Sequence, residues 1–463
     1  MTEQLKLKLN DSKATRWGAL VIVAFTMMAA YYVNDVVAPL KTMLETDLAW
    51  SSTDFGFFTG GYSFLNVFFL MWIWGGLILD RFGIRFTGKL ATILMVGGTA
   101  LEYYAMTGLA GADATLFGIN EIFGYKTGVF VAFAGYSIFG VGAEVAGITV
   151  SKIIAKWFKG KELATAMGVQ VALARIGSQA GYAVAIPLAR AFGISTPVLL
   201  GLVLLLGGMI AFFIFAVMDK KLDKQMEAAA IAAGTEDEEE KFSFKDVKNI
   251  LVNPGFWLIA LLCVLFYSCV FPFQKFASEL MIIKYGINEN VAGTFAGLPA
   301  LGALILTPVF GGFIDKRGKS ASIMLLGSAM LICVHFIYAI PDINYWLVAI
   351  VLMIILGIAF SLVPSAMWPA VAKIFPVSQL GTAYALIFFI QNIGLWGIPT
   401  LIGWVLDAYC ISGKKPDGTN MYDYTVPMCI FTSIACLSLI VALLLKKADK
   451  KYGYKLEEPN IQK

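Results

Sequence analysis

The sequence predicts an all-α membrane protein of twelve transmembrane helices in two six-helix halves, and three observations carry that prediction. The first is composition: 59% of the 463 residues are hydrophobic and only 14% are charged, where soluble domains carry about a quarter charged residues. The second is the length of the apolar runs, which reach the roughly 20 residues a helix needs to cross a bilayer. The third is a glycine- and charge-bearing stretch, GGLILDRFGIRF at 75–86, that returns as GGFIDKRGKS at 311–320.

Taken in order, the apolar runs lie at 17–40, 54–79, 87–109, 126–157, 162–192, 196–218, 254–284, 289–314, 320–340, 343–372, 378–408 and 425–446. Only helices and closed barrels satisfy their backbone in lipid, and runs this long and uniform are not barrel strands. The first run follows MTEQLKLKLNDSKATRW, which is polar where the core of a cleavable signal would begin, so none is expected. The sixth and seventh are separated by a long polar stretch at about 219–253, with an Ala-rich run of helical character and then TEDEEEK. The expected domains are a first half over 1–218, a cytoplasmic linker over 219–253, and a second half with its tail over 254–463. Pro299 and Pro308 in the eighth run, and Pro364, Pro369 and Pro376 in and after the tenth, mark places where helices bend.

Lysine and arginine divide the connecting segments. One set holds Arg81, Arg85 and Lys89, then Lys156, Lys159 and Lys161, then Lys220, Lys221 and Lys224, then Lys316, Arg317 and Lys319, and the tail adds Lys446, Lys447, Lys450 and Lys451. The other set offers only Lys41, Lys126, Lys284, Lys414 and Lys415. The positive-inside rule puts the rich set and both termini in the cytoplasm. The net charge of +4 is thus a matter of topology and calls for no nucleic acid. The N-x-S/T sequon Asn10-Asp11-Ser12 falls on the cytoplasmic side, and no acidic dileucine signal stands near a terminus. A cell (inner) membrane is therefore expected over a lysosomal-type one. The six cysteines form no C-x-x-C pair, and all but Cys410 fall inside the apolar runs, as buried small hydrophobes would. With a single histidine, His335, a metal site has no ligand set, and no cofactor is expected.

The repeated stretch places Gly76, Asp80, Arg81 and Gly83 in register with Gly311, Asp315, Lys316 and Gly318, each copy ending the second helix of its half. Repeated halves enclosing a central site mark secondary transporters. The pattern G-x-x-x-D-[RK]-x-G-x-[RK] resembles the signature loop of the major facilitator superfamily. The first copy matches through Arg85; the second departs at Ser320. The resemblance implies that this loop links helices of the two halves and helps hold one access state. Glycine here would let helices approach closely. IFGVGAEVAGITVSKIIAKWFKGKELATAMGVQVALARIGS at 138–178, FYSCVFPF at 266–273, MWPAVAKIFPVSQLGTAYA at 367–385 and QNIGL at 391–395 resemble the lysosomal dipeptide-transporter branch of that superfamily, as does the region of Asp35. The linker and residues 409–463 carry no such resemblance.

Ionisable groups deep in a membrane are costly and mostly functional. Glu144 and Arg175 lie in opposite directions from the turn near Lys159–Gly160, each about 23 Å along its helix at 1.5 Å per residue, so near mid-membrane. They are either a structural salt bridge or the captors of the ammonium and carboxylate of a zwitterion, with Arg175 as the planar clamp; the family resemblance covers both and favours capture. Asp35, within YYVND, sits halfway along the first helix beside Tyr31 and Tyr32. Lys275 is either a ligand or a lysine that snorkels outward. Glu102 reads as a packing partner or hydrated group, Glu279 lies nearer the outer surface, and His335 is either a satisfied interface residue or a proton carrier.

Among the aromatics, Trp50, Trp157 and Trp346 read as interfacial or lipid-facing. Tyr62, Tyr267, Phe271 and Trp368 fall in glycine- or proline-interrupted helices near polar neighbours and are candidate walls for substrate side chains, or else ordinary helix packing; Asn392 is a candidate polar contact. The expected function is a monomeric transporter of dipeptides or similar small zwitterions by alternating access, facilitative as the resemblance implies. An organic-anion exchanger would use Arg175 with Lys275 but leaves Glu144 idle, and a proton-coupled peptide symporter would use Asp35 or Glu144. No nucleophile, base or metal constellation suggests a membrane enzyme, and no large soluble domain suggests a sensor.

Overall fold

The computed structural model describes residues 8–111, 114–233 and 244–460. Each of the twelve apolar windows falls on helix. α1 (Lys13–Val36) starts behind Ser12, whose hydroxyl accepts from the Thr15 N–H, and continues past a proline-bearing 3-10 turn into the short α2 (Lys41–Leu48). α3 (Ser52–Phe68) opens on a reciprocal Ser51–Asp54 capping box. α4 (Met71–Thr107) carries the rest of the second window and all but the last two residues of the third, broken internally at Gly83 (φ 75°, ψ 172°). α5 (Thr127–Trp157), α6 (Leu163–Phe192) and α7 (Thr196–Ala233) follow. α7 overruns its window because the Ala-rich run extends the helix, whereas TEDEEEK lies outside the described residues.

A short helix that the apolar pattern did not suggest, α8 (Phe244–Val252), precedes α9 (Pro254–Tyr285). α10 (Glu289–Ala296) and α11 (Leu298–Arg317) share the eighth window and part at Gly297, where Pro299 cannot continue the hydrogen-bond ladder. α12 (Ser320–Ala339), α13 (Trp346–Ile374), α14 (Val377–Tyr409) and α15 (Thr425–Tyr452) complete the order. Two small hairpins, β1 (Glu121–Ile122) with β2 (Tyr125–Lys126) and β3 (Ile411–Lys414) with β4 (Asn420–Tyr422), cap the end away from the termini. Among the described residues nine helices are long and apolar enough to cross a membrane. The second window is interrupted where Leu70 takes φ 50°, and α6 is diluted by residues such as Gln170, Arg175 and Gln179.

α5 packs against α3 and α4, α6 against α1, α9 against α14 and α15, and α12 against α13 and α15. The two sets meet where α3 lies along α14 and α6 along α10 and α11. The close approach of Gly140 to α3 is obligatory, since a Cβ there would stand 2.1 Å from the Tyr62 carbonyl oxygen.

Several expectations need correction. Trp157 is fully buried, because its indole N–H donates to Asp219 Oδ1 at 2.9 Å, and Trp50 is buried edge-on to Phe58; of the three only Trp346 is exposed. Cys333, Cys429 and Cys436 are exposed on helix surfaces rather than buried. Gly76 does not serve close packing, since a Cβ there would meet open space; its neighbour Gly75 faces Val145 instead.

Candidate functional site

Glu144 sits on α5 within VGAEVAG, half-buried, where the tight Gly140 contact draws α3 alongside. The Tyr62 hydroxyl of α3 therefore reaches it and donates to Oε1 at 3.0 Å. Arg175 projects from α6 where Gly177 lets that helix touch α1, a Cβ there standing 2.1 Å from the Met28 carbonyl. Its guanidinium lies over two rings, Tyr31 of α1 at 5.6 Å and Phe360 of α13 at 5.0 Å. Among the described residues neither Glu144 nor Arg175 forms an ion pair, with each other or with any other group.

A second cluster joins α1 to α9. Lys275 does not snorkel outward: it is 9% exposed, pairs with Asp35 Oδ1 at 3.1 Å and donates to the Asn34 carbonyl at 2.6 Å. Ser178 donates to the other Asp35 oxygen, and Tyr136 donates to the Asn34 carbonyl at 2.7 Å while its oxygen lies 3.4 Å from Lys275 Nζ. Tyr267 and Phe271 stack at 5.4 Å, both nearly perpendicular to Phe360. Trp368 stacks on Phe388 at 4.8 Å, and Asn392 donates to the Phe388 carbonyl at 2.9 Å, leaving its own buried oxygen without a partner. Glu102 is fully buried with neither oxygen hydrogen-bonded. His335 is an interface residue held by the Cys269 carbonyl at 3.0 Å and stacked on Phe431. No group of three or more His, Cys, Asp or Glu among the described residues is arranged to hold a metal.

Sequence reasoning missed Phe360, Tyr136, Ser178 and Asn34. Ser178 could have been found, since it stands one helical turn beyond Arg175 on the same helix; Phe360 is one of many aromatics in apolar runs and had no charge or repeat to mark it.

It also missed the charge cluster at the end away from the termini. Lys41 Nζ lies 2.5 Å from both Glu45 Oε1 and Glu279 Oε2. Tyr424 donates to Glu279 Oε2 at 2.5 Å, Ser52 to Glu45 Oε1 at 3.1 Å, and Lys415 Nζ stands 3.7 and 3.8 Å from the two remaining carboxylate oxygens. Asp407 at the end of α14 takes the Ser52 and Thr53 N–H groups, and Arg190 of α6 pairs with Glu289 of α10. At the opposite end the charges pair locally. Asp80 meets Lys152 at 3.2 Å, and Arg85 meets Asp223 at 3.3 Å and Asp219 at 4.0 Å. Arg81 lies over the Phe82 ring. In the second copy of the motif Asp315 accepts from Asn460 at 2.7 Å, so the tail covers it.

The Major Facilitator Superfamily model matches residues 20–399. The human lysosomal dipeptide transporter MFSD1 is 28% identical, over 94% of this chain and 87% of its own. The Gallus gallus protein of the same name is 33% identical over 59% of this chain and 62% of its own. Among solved structures, a point mutant of the nucleoside transporter NupG superposes with TM-score 0.69 at 12% identity, covering 92% of this chain and 98% of its own. A D-xylose-proton symporter gives 0.64 at 15% identity, covering 93% and 97%. These relatives are transporters, not enzymes, and the chain is a multi-pass membrane protein that belongs to the major facilitator superfamily.

Proposed function

We propose that this chain moves dipeptides or similar small zwitterions across a membrane by alternating access, as a facilitative, monomeric uniporter. One observation carries the reading: a carboxylate, Glu144, and a guanidinium, Arg175, face the interior from adjacent helices without an ion-pair partner among the described residues. A half-buried charge within the membrane-spanning helices is costly without a counter-ion, so each is suited to receive one from the substrate. A dipeptide supplies an ammonium and a carboxylate together, and relatives over most of the chain are named dipeptide transporters. Lys275 is already neutralised by Asp35, which removes the second cation a dicarboxylate exchanger would need.

The working parts are two six-helix halves, 1–218 and 254–463, rocking about the linker 219–253. Ion pairs at the end away from the termini tie one half to the other, through Lys41–Glu279, Glu45–Lys415 and Arg190–Glu289. With the termini cytoplasmic by the positive-inside rule, these pairs close the outer side. The membrane is the cell (inner) membrane on the sequon argument, against the lysosomal names of the relatives, and imaging of a tagged chain decides between them. Labelled dialanine should enter protein-containing liposomes until concentrations equalise, whatever pH gradient is imposed. Uphill accumulation driven by protons would replace uniport with symport, a second reading favoured by the unbonded, buried Glu102 carboxylate.

The signature loop sets a further expectation. Asp80 and Lys152 form an exposed pair worth at most about 1 kcal/mol of stability. Asp80→Asn should therefore leave expression and dialanine affinity nearly unchanged while slowing uptake, because the residue biases states and touches no ligand. Asp315→Asn should slow uptake less, its copy of the motif being incomplete. Loss of equilibrium binding along with uptake in Asp80→Asn would show that the loop does not act on gating.

A further inference from the structure

We propose that Phe360 is a positioning residue for carboxylate capture, holding the Arg175 guanidinium by its ring face from the opposite half of the protein; this rests on the zwitterion reading above. Phe360 belongs to α13 and Arg175 to α6, yet the guanidinium carbon stands 5.0 Å from the Phe360 centroid. Tyr31 of α1 offers a second ring at 5.6 Å. The Phe360 ring is itself fixed: it is 3% exposed and meets Phe271 at 5.3 Å and 80°, and Tyr267 at 6.2 Å and 86°. Two ring faces within about 6 Å of the guanidinium carbon hold the cation in place, and no hydrogen bond among the described residues uses its two-pronged fork, which can meet a carboxylate.

The chemistry explains the residue types. Charge at Arg175 is balanced by no carboxylate among the described residues, so the two ring faces are the partners that the fold gives the cation while the site is empty. A leucine at 360 would fill much of the same space but supply no quadrupole. A lysine at 175 would supply the charge but no plane to lie against a ring and no fork for a carboxylate. Because the two residues come from different halves, the clamp is complete only when α6 and α13 are juxtaposed as they are here. The binding of a carboxylate is thereby tied to the relative position of the halves.

The test uses purified full-length protein in liposomes and three probes: dialanine, its C-terminal amide and N-acetyl-dialanine. Wild type should prefer dialanine over the amide. Phe360→Leu should lose about 2- to 30-fold of that preference, the range of a cation–π contact, leave the preference for a free N-terminus unchanged, and be rescued by Phe360→Tyr. In an Arg175→Ala background the Phe360→Leu change should cost nothing more. Equal weakening of dialanine and amide by Phe360→Leu would mean mere packing and overturn the proposal. Retention of the carboxylate preference in Arg175→Ala, or its absence in wild type, would instead overturn the zwitterion reading itself. If Phe360→Leu does not survive purification, Phe360→Met carries the same comparison.

Discussion

Glu144→Gln and Arg175→Ala should each lose about thirty- to several-thousand-fold in dipeptide affinity, and lose it selectively at one terminus. The magnitude is the roughly 2 to 5 kcal/mol that removing one partner of a buried charge pair costs. The selectivity is the sharper part. Tyr62 donates to Glu144 Oε1 at 3.0 Å, and a glutamine oxygen accepts the same bond, so Glu144→Gln removes charge while keeping shape. N-acetyl-dialanine has no ammonium to lose and should bind the mutant about as it binds wild type. Arg175→Ala should erase the difference between dialanine and its amide in the same way. Binding competition against labelled dialanine measures both. If both mutants keep the wild-type preference for free termini, the two residues are structural.

The charge-swapped double mutant, Glu144→Arg with Arg175→Glu, checks the same model from another side. A plain ion pair would tolerate the exchange. This site should not, because the Tyr31 and Phe360 ring faces beside position 175 stabilise a cation and repel a carboxylate. Recovered dialanine uptake in the double mutant would refute an oriented zwitterion site.

How much of this was legible in the sequence depended on whether a residue's role was set locally. The repeated turn was legible because its glycines have the same local job: Gly83 takes φ 75° and Gly318 φ 70°, a region that suits glycine and ends one helix before the next. Glu144 and Arg175 stood out as charges in apolar runs. Asp35 and Lys275 stood out likewise, but their pairing did not, since α1 and α9 are more than two hundred residues apart in sequence. Phe360 left no trace in LGIAFSLV, where an aromatic in an apolar run is indistinguishable from core or lipid-facing packing. Trp157 was misread for the complementary reason: its partner Asp219 looked like the start of a solvated linker, whereas α7 carries it beneath the indole. Lys41 and Lys415 were counted as loop lysines for topology, which says nothing of the carboxylates that the fold brings to them.

Those lysines support the last expectation: Lys41→Met should open the end of the protein away from the termini. Lys41 is 1% exposed and touches Glu45 and Glu279 at 2.5 Å each. With Lys415 the cluster balances two cations against two carboxylates. Methionine keeps the length of the side chain but leaves two buried carboxylates facing one lysine, which costs about 3 to 5 kcal/mol. Parting the halves would let water reach those carboxylates, so the cost falls on the closed arrangement and shifts the equilibrium by about two to four orders of magnitude. Ser278, buried on α9 beside Glu279, reports the change. In a background lacking other reactive cysteines, Ser278→Cys should be labelled by a membrane-impermeant thiol reagent far faster once Lys41→Met is added, while dialanine uptake falls. Adding Glu279→Gln restores the balance at one lysine to one carboxylate, Lys415 with Glu45, and should slow labelling again, since removing both members of a buried pair is far less costly than removing one. A lowered melting temperature without faster labelling would make the cluster a structural brace, and unchanged labelling with unchanged melting would show that it seals nothing.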